Sequence, residues 1–132
     1  MLGHLGLTVP DLVAAKGYHD ELVPLVGFEE FFTADDRFAY RPTKGKRGTY
    51  LFFYPASRLA AYDREAVGLQ HLAFMVRTRS QVRLVHELAV CRGDTVLHSP
   101  QDFPQYPPPY YATFWLDPHG FKLEAVCHYD ED

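Results

Sequence analysis

The most constraining feature of this sequence is a short pattern that occurs twice. The run HLGLTV at residues 4–9 resembles HLAFMV at residues 71–76, an offset of 67 residues. Both runs are rich in apolar residues and alternate along the chain, which is typical of half-buried β-strands. Two copies of one segment are expected to fold into two copies of one structure, so the repeat predicts a duplicated module.

A helix is predicted after each copy of this strand. Pro10 and Asp11 form a start signal for the first helix, and Pro24 and Gly27 mark its end. The second helix is predicted to begin near Thr78 or Ser80 and to end before Gly93. The apolar positions expected on one face of each helix are Leu12, Ala15, Tyr18 and Leu22 in the first and Val82, Val85, Leu88, Ala89 and Cys91 in the second.

Later strands also match between the halves. Residues 48–54 (GTYLFFY) align with residues 120–126 (GFKLEAV) at an offset of 72. The predicted fold class is therefore α+β, with two tandem βαβββ modules that form a curved mixed β-sheet cup with the helices on its outer face. We expect one domain over residues 1–132, with modules at about 1–62 and 68–128 and a short turn or helix at 60–65 between them.

The run Asp117-Pro118-His119-Gly120 predicts a tight turn before the last strand. Proline supplies a fixed φ and glycine tolerates a positive φ, which together favour a bulged hairpin. In that register Phe114 lies opposite Glu124, whereas a slip of one residue would put Thr113 there.

Three polar residues are predicted to hold one divalent metal ion. His4 and His71 occupy equivalent positions of the repeat, and strand alternation places both on the face away from the apolar residues. Glu124 alternates in the same way on the last strand. Two imidazoles and one carboxylate leave open coordination positions, as in non-haem iron and some catalytic zinc sites. A single histidine of this kind is usually only hydrogen-bonded, so the prediction depends on the repeat.

The other histidines are weaker candidates. His19 and His86 lie on the predicted helices and are expected to be surface residues, while His98 is a candidate acid or base near the cup.

Aromatic residues predict the character of the ligand. The Pro-rich stretch at 100–111 is expected to be a stiff loop at the rim of the cup, with a peptide ligand for another domain as the alternative. The cavity should suit a flat, apolar or aromatic molecule. The residues predicted to bind it are Tyr50, Phe52, Tyr54, Tyr110, Tyr111 and Phe114, although some of these aromatics must belong to the core.

Composition excludes several classes of partner. The net charge is −4 and the basic residues are scattered, so nucleic acid is not an expected partner. No stretch reaches the length that spans a membrane. The two cysteines lack a CxxC partner, which fits a reducing compartment. A soluble, cytoplasmic protein is the expectation.

The two halves, their opening histidines and the closing run DPHGFKLE at 117–124 resemble the vicinal oxygen chelate superfamily. This group contains glyoxalases, fosfomycin and bleomycin resistance proteins, extradiol dioxygenases and epimerases. The resemblance covers essentially the whole chain. It implies a divalent ion (Fe, Mn, Ni or Zn) on the residues matching His4, His71 and Glu124, with Glu124 also the expected catalytic residue, and it implies a homodimer.

Two departures from family patterns narrow the reaction. Phe52 aligns with Glu124, so the fourth protein ligand of the glyoxalase I pattern is absent, with Tyr50 or Tyr54 as rarer alternatives. Phe114 stands ten residues before Glu124, where extradiol dioxygenases show a tyrosine. The tyrosines that are candidates to replace it are Tyr106, Tyr110 and Tyr111.

Two functions follow as hypotheses. The first is a divalent-metal-dependent enzyme of lyase, isomerase or dioxygenase type that acts on a small oxygenated, aromatic or apolar molecule. The second is a metal-free binding protein of the bleomycin-resistance type that sequesters an aromatic drug or metabolite. Retention of all three metal-binding positions favours the enzyme.

Overall fold

The computed structural model describes every residue from Met1 to Asp132 and contains two compact units, Met1–Ala60 and Ala61–Asp132. The elements of the first unit are β1 (His4–Val9), α1 (Leu12–Leu22), a 3₁₀ turn (Val23–Val26), β2 (Phe28–Thr33), β3 (Phe38–Pro42), a second 3₁₀ turn (Thr43–Gly45) and β4 (Tyr50–Pro55). Those of the second are β5 (Leu72–Val76), α2 (Arg79–Arg92), β6 (Thr95–Asp102), β7 (Tyr111–Leu116) and β8 (Lys122–Cys127).

Each unit contains one four-stranded mixed sheet with the same topology. The strand orders are β1-β4-β3-β2 and β5-β8-β7-β6, and in each sheet the first pair is parallel while the others are antiparallel. Gly6 pairs with Phe52 in the first sheet, and Ala73 pairs with Glu124 in the second. Gly6 and Ala73 are 67 residues apart, and Phe52 and Glu124 are 72 residues apart, so both offsets of the sequence repeat recur in the strand pairing. The predicted α+β fold with a repeated βαβββ module is confirmed.

Capping residues begin both helices where the sequence predicts them, and α2 also ends as predicted at Gly93; α1 ends at Leu22, before Pro24, and a 3₁₀ turn continues to Gly27. The Asp11 carboxylate accepts a hydrogen bond from the Ala14 amide at 3.1 Å, and Thr78 and Gln81 form a capping box. Gly27 and Gly93 end the two modules' helical segments with φ of 90° and 78°, a left-handed conformation that favours glycine.

One face of each sheet is covered by the unit's helix. Phe53 of β4 lies under α1, where its ring is 4.7 Å from that of His19. In the second unit the buried residues Val82, Val85 and Ala89 of α2 cover β7 and β8. Because side chains alternate along a strand, the neighbouring positions on β4 and β8 project from the other face of the sheet.

Two expectations for the helices are wrong. His19 is only 3% exposed and lies between Tyr18 and Phe53, so it belongs to the core rather than to the surface. Its aromatic neighbours accept an imidazole edge, which makes burial of this polar ring tolerable. Cys91 is exposed, because it lies outside the buried stripe of α2.

The segment predicted to link the modules lies at the start of the second unit and contains a turn and no helix. The Ala66 amide donates to the Asp63 carbonyl at 3.1 Å, and the Tyr62 ring packs on Phe121 with centroids 4.3 Å apart. No helix of the chain is both long enough and apolar enough to cross a membrane.

Candidate functional site

The candidate site lies on the face of the second sheet that α2 does not cover. Strand register aligns four residues in one row across this sheet, in the order Ala73, Glu124, Phe114 and His98. Phe114 is opposite Glu124, as the predicted hairpin register requires. The turn that fixes this register has the Asp117 carbonyl accepting from the Gly120 amide at 3.0 Å, with Gly120 at φ 90°.

Glu124 is the centre of the site. Its side chain is 1% exposed, and its two carboxylate oxygens have different partners. The Tyr110 hydroxyl donates to Oε2 at 2.5 Å, while His71 Nε2 lies 3.3 Å from Oε1. A carboxylate this deeply buried must be paired or hydrogen-bonded, and both requirements are met by residues of the second unit.

The two partners of Glu124, Tyr110 and His71, have their own contacts, which affect where their protons lie. Burial, and then the hydrogen bond to Glu124, raise the pKa of Tyr110, so its hydroxyl keeps its proton and remains a donor. The other ring nitrogen of His71, Nδ1, contacts Oε1 of Gln70. When Nδ1 donates to that oxygen, Nε2 keeps its lone pair, which is the state that a metal ligand needs.

A cavity of about 350 Å³ opens beside this carboxylate. Its lining includes His71, His98, Phe114, Lys122 and Glu124 from the sheet and its edge. The Pro-rich loop before β7 contributes the aromatic part of the wall, which consists of Phe103, Tyr106 and Tyr110. The loop is packed by its own rings, since Tyr106 and Tyr110 have centroids 4.7 Å apart. It forms the rim of this cavity.

A β-bulge explains the presence of His98 in the cavity. Val96 pairs with Trp115, whose side chain is buried, and the register shifts before His98 pairs with Phe114. Without the shift, alternation would place His98 on the same face as Val96. The bulge re-aims the imidazole, and its ring then contacts the Phe114 ring at 5.6 Å.

The aromatic residues predicted on β4 lie in the first unit and share one face of its sheet. Phe52 contacts His4 at 5.2 Å and Tyr54 at 6.3 Å between ring centroids. Tyr50 contacts Phe31 at 5.1 Å. Tyr50 and Phe52 are half-buried and Tyr54 is exposed, so this face is an accessible aromatic surface with His4 at its edge.

The structure separates the remaining predicted ligand-binding residues. Tyr110 and Phe114 line the cavity of the second unit. Tyr111 lies on the opposite face of β7, where the Arg79 guanidinium of α2 stacks 4.9 Å from its ring centroid. Alternation along the strand accounts for the difference, because Tyr111 and Phe114 have opposite parity.

Comparisons with known proteins agree with this geometry. No family model matches the sequence. The uncharacterised protein YqjT of Bacillus subtilis (strain 168) is 28% identical over 127 residues, which cover 94% of this chain and 96% of the relative. A solved structure from Bacillus halodurans, given the provisional name of glyoxalase, is 29% identical with a TM-score of 0.81 and covers 96% of this chain and 95% of its own.

A second solved structure carries the family name in full. It is a glyoxylase/bleomycin resistance protein/dioxygenase domain from Frankia sp. EAN1pec, with 20% identity, a TM-score of 0.72 and coverage of 98% of both chains. The structural neighbours of this chain are glyoxalase/bleomycin resistance/dioxygenase family proteins. They are consistent with the vicinal oxygen chelate superfamily, and the resemblance predicted from the sequence is confirmed.

The repeat shows how the two modules of this fold differ. The row Gly6, Phe52, Ala39 and Phe32 in the first sheet corresponds to the row Ala73, Glu124, Phe114 and His98 in the second. Both sheets also have a bulge at the same place, before Phe32 and before His98. Where the first module has aromatic rings, the second has ionisable groups.

The donor set of the second unit fits part of a metal site. With Nδ1 of His71 donating to Gln70, Nε2 and Oε1 of Glu124 are two lone-pair atoms 3.3 Å apart. Either a proton on Nε2 or a cation shared by both atoms satisfies this pair. In neither unit does a group of three or more His, Cys, Asp or Glu side chains come together. The third predicted ligand, His4, belongs to the first unit, and Phe52 beside it offers no donor atom.

Sequence reasoning missed two contacts of this site. The Tyr110–Glu124 hydrogen bond joins a loop to a strand, and no sequence spacing indicates it. The Gln70–His71 contact had a weak signal, since a residue adjacent to a ligand histidine is a common place for an orienting group.

Proposed function

We propose that this chain is a divalent-metal-dependent enzyme that acts on a small oxygenated molecule with an aromatic or apolar body, by lyase, isomerase or dioxygenase chemistry. The observation that supports it most is that His71 Nε2 and Glu124 Oε1, two atoms of the kinds that ligate divalent metals, lie 3.3 Å apart beside an aromatic-walled cavity. A cavity of about 350 Å³ has the size of a small-ligand site.

The residues that would hold the ion are His71 and Glu124 of the second unit and His4 of the first. When bound, a divalent ion supplies a Lewis acid that polarises a substrate oxygen and binds two neighbouring oxygens side by side. Tyr110 fixes one oxygen of Glu124 and leaves the other for coordination. Gln70 holds the ring of His71 by the far nitrogen. Phe103, Phe114 and Tyr106 exclude water from an apolar substrate body.

Metal uptake tests the proposal directly. Protein without an affinity tag is stripped with chelator, loaded in turn with Fe²⁺, Mn²⁺, Ni²⁺ and Zn²⁺, and analysed for bound metal and thermal stability. We expect one ion per chain for at least one metal, and stabilisation of about 2.7 kcal/mol at a hundredfold excess over Kd. His71→Ala and Glu124→Gln should abolish both effects.

The control is His119→Ala, which removes an imidazole from the hairpin turn and leaves the cavity unchanged. It should take up metal like the wild-type chain. Wild-type protein that binds less than about a tenth of an equivalent of every metal, with no stabilisation, contradicts the proposal. Equal uptake by His71→Ala and wild type would exclude this site.

The second candidate is a metal-free binding protein that sequesters an aromatic drug or metabolite. It is favoured by the accessible aromatic face of the first unit, where Phe52 stands at the position that corresponds to Glu124. The metal analysis separates the two, because a binding protein holds an aromatic ligand with unchanged affinity after Glu124→Gln and chelator treatment. We further propose a homodimer in the cytoplasm, and light scattering should give twice the chain mass of 15.2 kDa.

A further inference from the structure

Lys122 is a cation inside the cavity with no anionic partner. It lies on β8 two residues before Glu124, so both side chains project from the same face of the sheet. Its ammonium stands 5.0 Å from the centroid of the Phe114 ring, a cation–π contact that holds the side chain over the cavity wall. Lys122 takes part in none of the ion pairs of the structure.

No carboxylate of the lining forms an ion pair with this ammonium. Glu124 is the single carboxylate in the lining, and its two oxygens already contact Tyr110 and His71. The other polar groups of the lining are amides, tyrosine hydroxyls and imidazoles. His98 contacts the same Phe114 ring edge-on at 5.6 Å, and Gln105 lines the same space. The cavity therefore contains an ammonium that forms no ion pair, together with the Glu124 carboxylate, which contacts Tyr110 and His71, and several hydrogen-bond donors.

The repeat indicates that this charge is not required by the fold. Tyr50 pairs with β1 two positions before Phe52, as Lys122 stands two positions before Glu124, so the two residues are equivalent. The first module folds with an aromatic ring at this position. A lysine is present only in the module that carries Glu124, His71 and the cavity.

We propose that the ligand of this cavity carries a carboxylate, which pairs with Lys122, on a flat apolar body that packs against Phe114. His98 and Gln105 supply hydrogen-bond donors to the same group. One cation matches a single negative charge, whereas a doubly charged phosphate needs several cations or a bidentate arginine. The inference rests on the proposed function, because it names the substrate class of the same site.

The test compares benzoate with benzamide, a neutral molecule of nearly the same shape, in NMR titrations of the full chain. Chelator-treated protein is used, so that a carboxylate cannot bind through a metal ion. We expect shifts in the signals of cavity residues and about fivefold tighter binding of benzoate, near the upper end of what a solvent-accessible ion pair contributes. Lys122→Met keeps the apolar stem and should remove this preference. Lys122→Arg keeps the charge and should retain it.

Lys46→Met is the matched control, because it removes the same charge from an exposed turn of the first unit. It should bind both probes as the wild type does. Equal affinities for benzoate and benzamide, an unchanged preference in Lys122→Met, or no benzoate binding at about 20 mM would each overturn the inference. Tighter binding of phenylphosphonate than of benzoate would also overturn the carboxylate assignment.

This outcome is independent of the metal analysis. A chain that prefers benzoate through Lys122 but takes up no metal retains the inference and loses the proposed enzyme. A chain that takes up metal through His71 and Glu124 but does not distinguish benzoate from benzamide retains the enzyme and loses the carboxylate.

Discussion

Tyr110 determines how the buried carboxylate of Glu124 is held. Its hydroxyl is 2.5 Å from Oε2 and comes from a loop rather than from the sheet. Because Oε2 is bound to Tyr110, the other oxygen of Glu124, Oε1, faces His71 and the cavity. Since the proposed function needs one defined oxygen, Tyr110 is a positioning residue in this account and not a catalytic one.

Tyr110→Phe should lower the free energy of unfolding by about 1 to 3 kcal/mol, because a buried carboxylate oxygen loses its hydrogen bond. Urea denaturation measures the change. Metal affinity should fall by about 10- to 100-fold, as is usual when an orienting contact to a ligand is lost. Tyr129→Phe, which alters an exposed tyrosine near the C-terminus, is the control and should change neither quantity. Unaltered metal affinity in Tyr110→Phe would contradict the positioning role.

Sequence reasoning could predict some of the residues that line the cavity and missed others. His71 and Glu124 were predictable because the repeat and strand alternation fix their face. Lys122 was also accessible to that reasoning, since it has the parity of Glu124. The place of His98 depends on a bulge, and a one-residue register shift has no sequence signal here. Tyr111 was predicted beside Phe114, but its parity is opposite.

The helices show how the same substitution can have opposite effects at different positions. Gly17 lies in the exposed middle of α1, and a Cβ there meets nothing within 4 Å. Gly93 ends α2 with φ 78°. Gly17→Ala should stabilise the chain by about 0.5 to 1 kcal/mol, because glycine is a poor helix former.

Gly93→Ala should destabilise it by about 1 kcal/mol, because L-residues avoid the left-handed region. Urea unfolding of both variants measures whether the free energy of unfolding rises for Gly17→Ala and falls for Gly93→Ala. Equal effects of the two substitutions would show that the cap geometry is not as described.

The hairpin between β7 and β8 predicts a pH dependence of stability. Burial raises the pKa of Asp117, although amide hydrogen bonds from Phe121 and His119 oppose the shift. A carboxyl whose pKa is raised on folding contributes stability below its ordinary pKa of about 3.9 and loses that contribution as pH rises through the folded value. The amide introduced by Asp117→Asn cannot ionise, so the stability of this variant should not fall as the pH rises through the pKa of Asp117 in the folded chain.

The variant's stability relative to wild type should therefore increase between about pH 4 and pH 7. Unfolding free energies from urea titrations across this range test the sign. Asp35→Asn, in the exposed turn before β3, is the matched control. A stability difference that stays constant or decreases with pH would contradict the burial argument.

The molecule contains the same βαβββ module twice, and the sheet faces not covered by the helices differ in chemistry between the two copies. Some positions that carry an aromatic ring in the first module carry a charged side chain in the second, as Phe52 and Glu124 or Tyr50 and Lys122 illustrate. The duplication, the succession of strands and helix along each module and the helix starts were predictable, because alternation, caps and offsets can be found in the sequence itself. The burial of His19 and the loop contact of Tyr110 were not, because tertiary packing decides them.

The proposed function requires a divalent ion held by His71 and Glu124. Anomalous diffraction from crystals grown with Mn²⁺ or Zn²⁺, recorded at the absorption edge of the metal, locates such an ion. We expect one peak within about 2.0 to 2.3 Å of His71 Nε2 and a carboxylate oxygen of Glu124. A fully ordered site with no peak there, or an ion ligated by other residues alone, would contradict it.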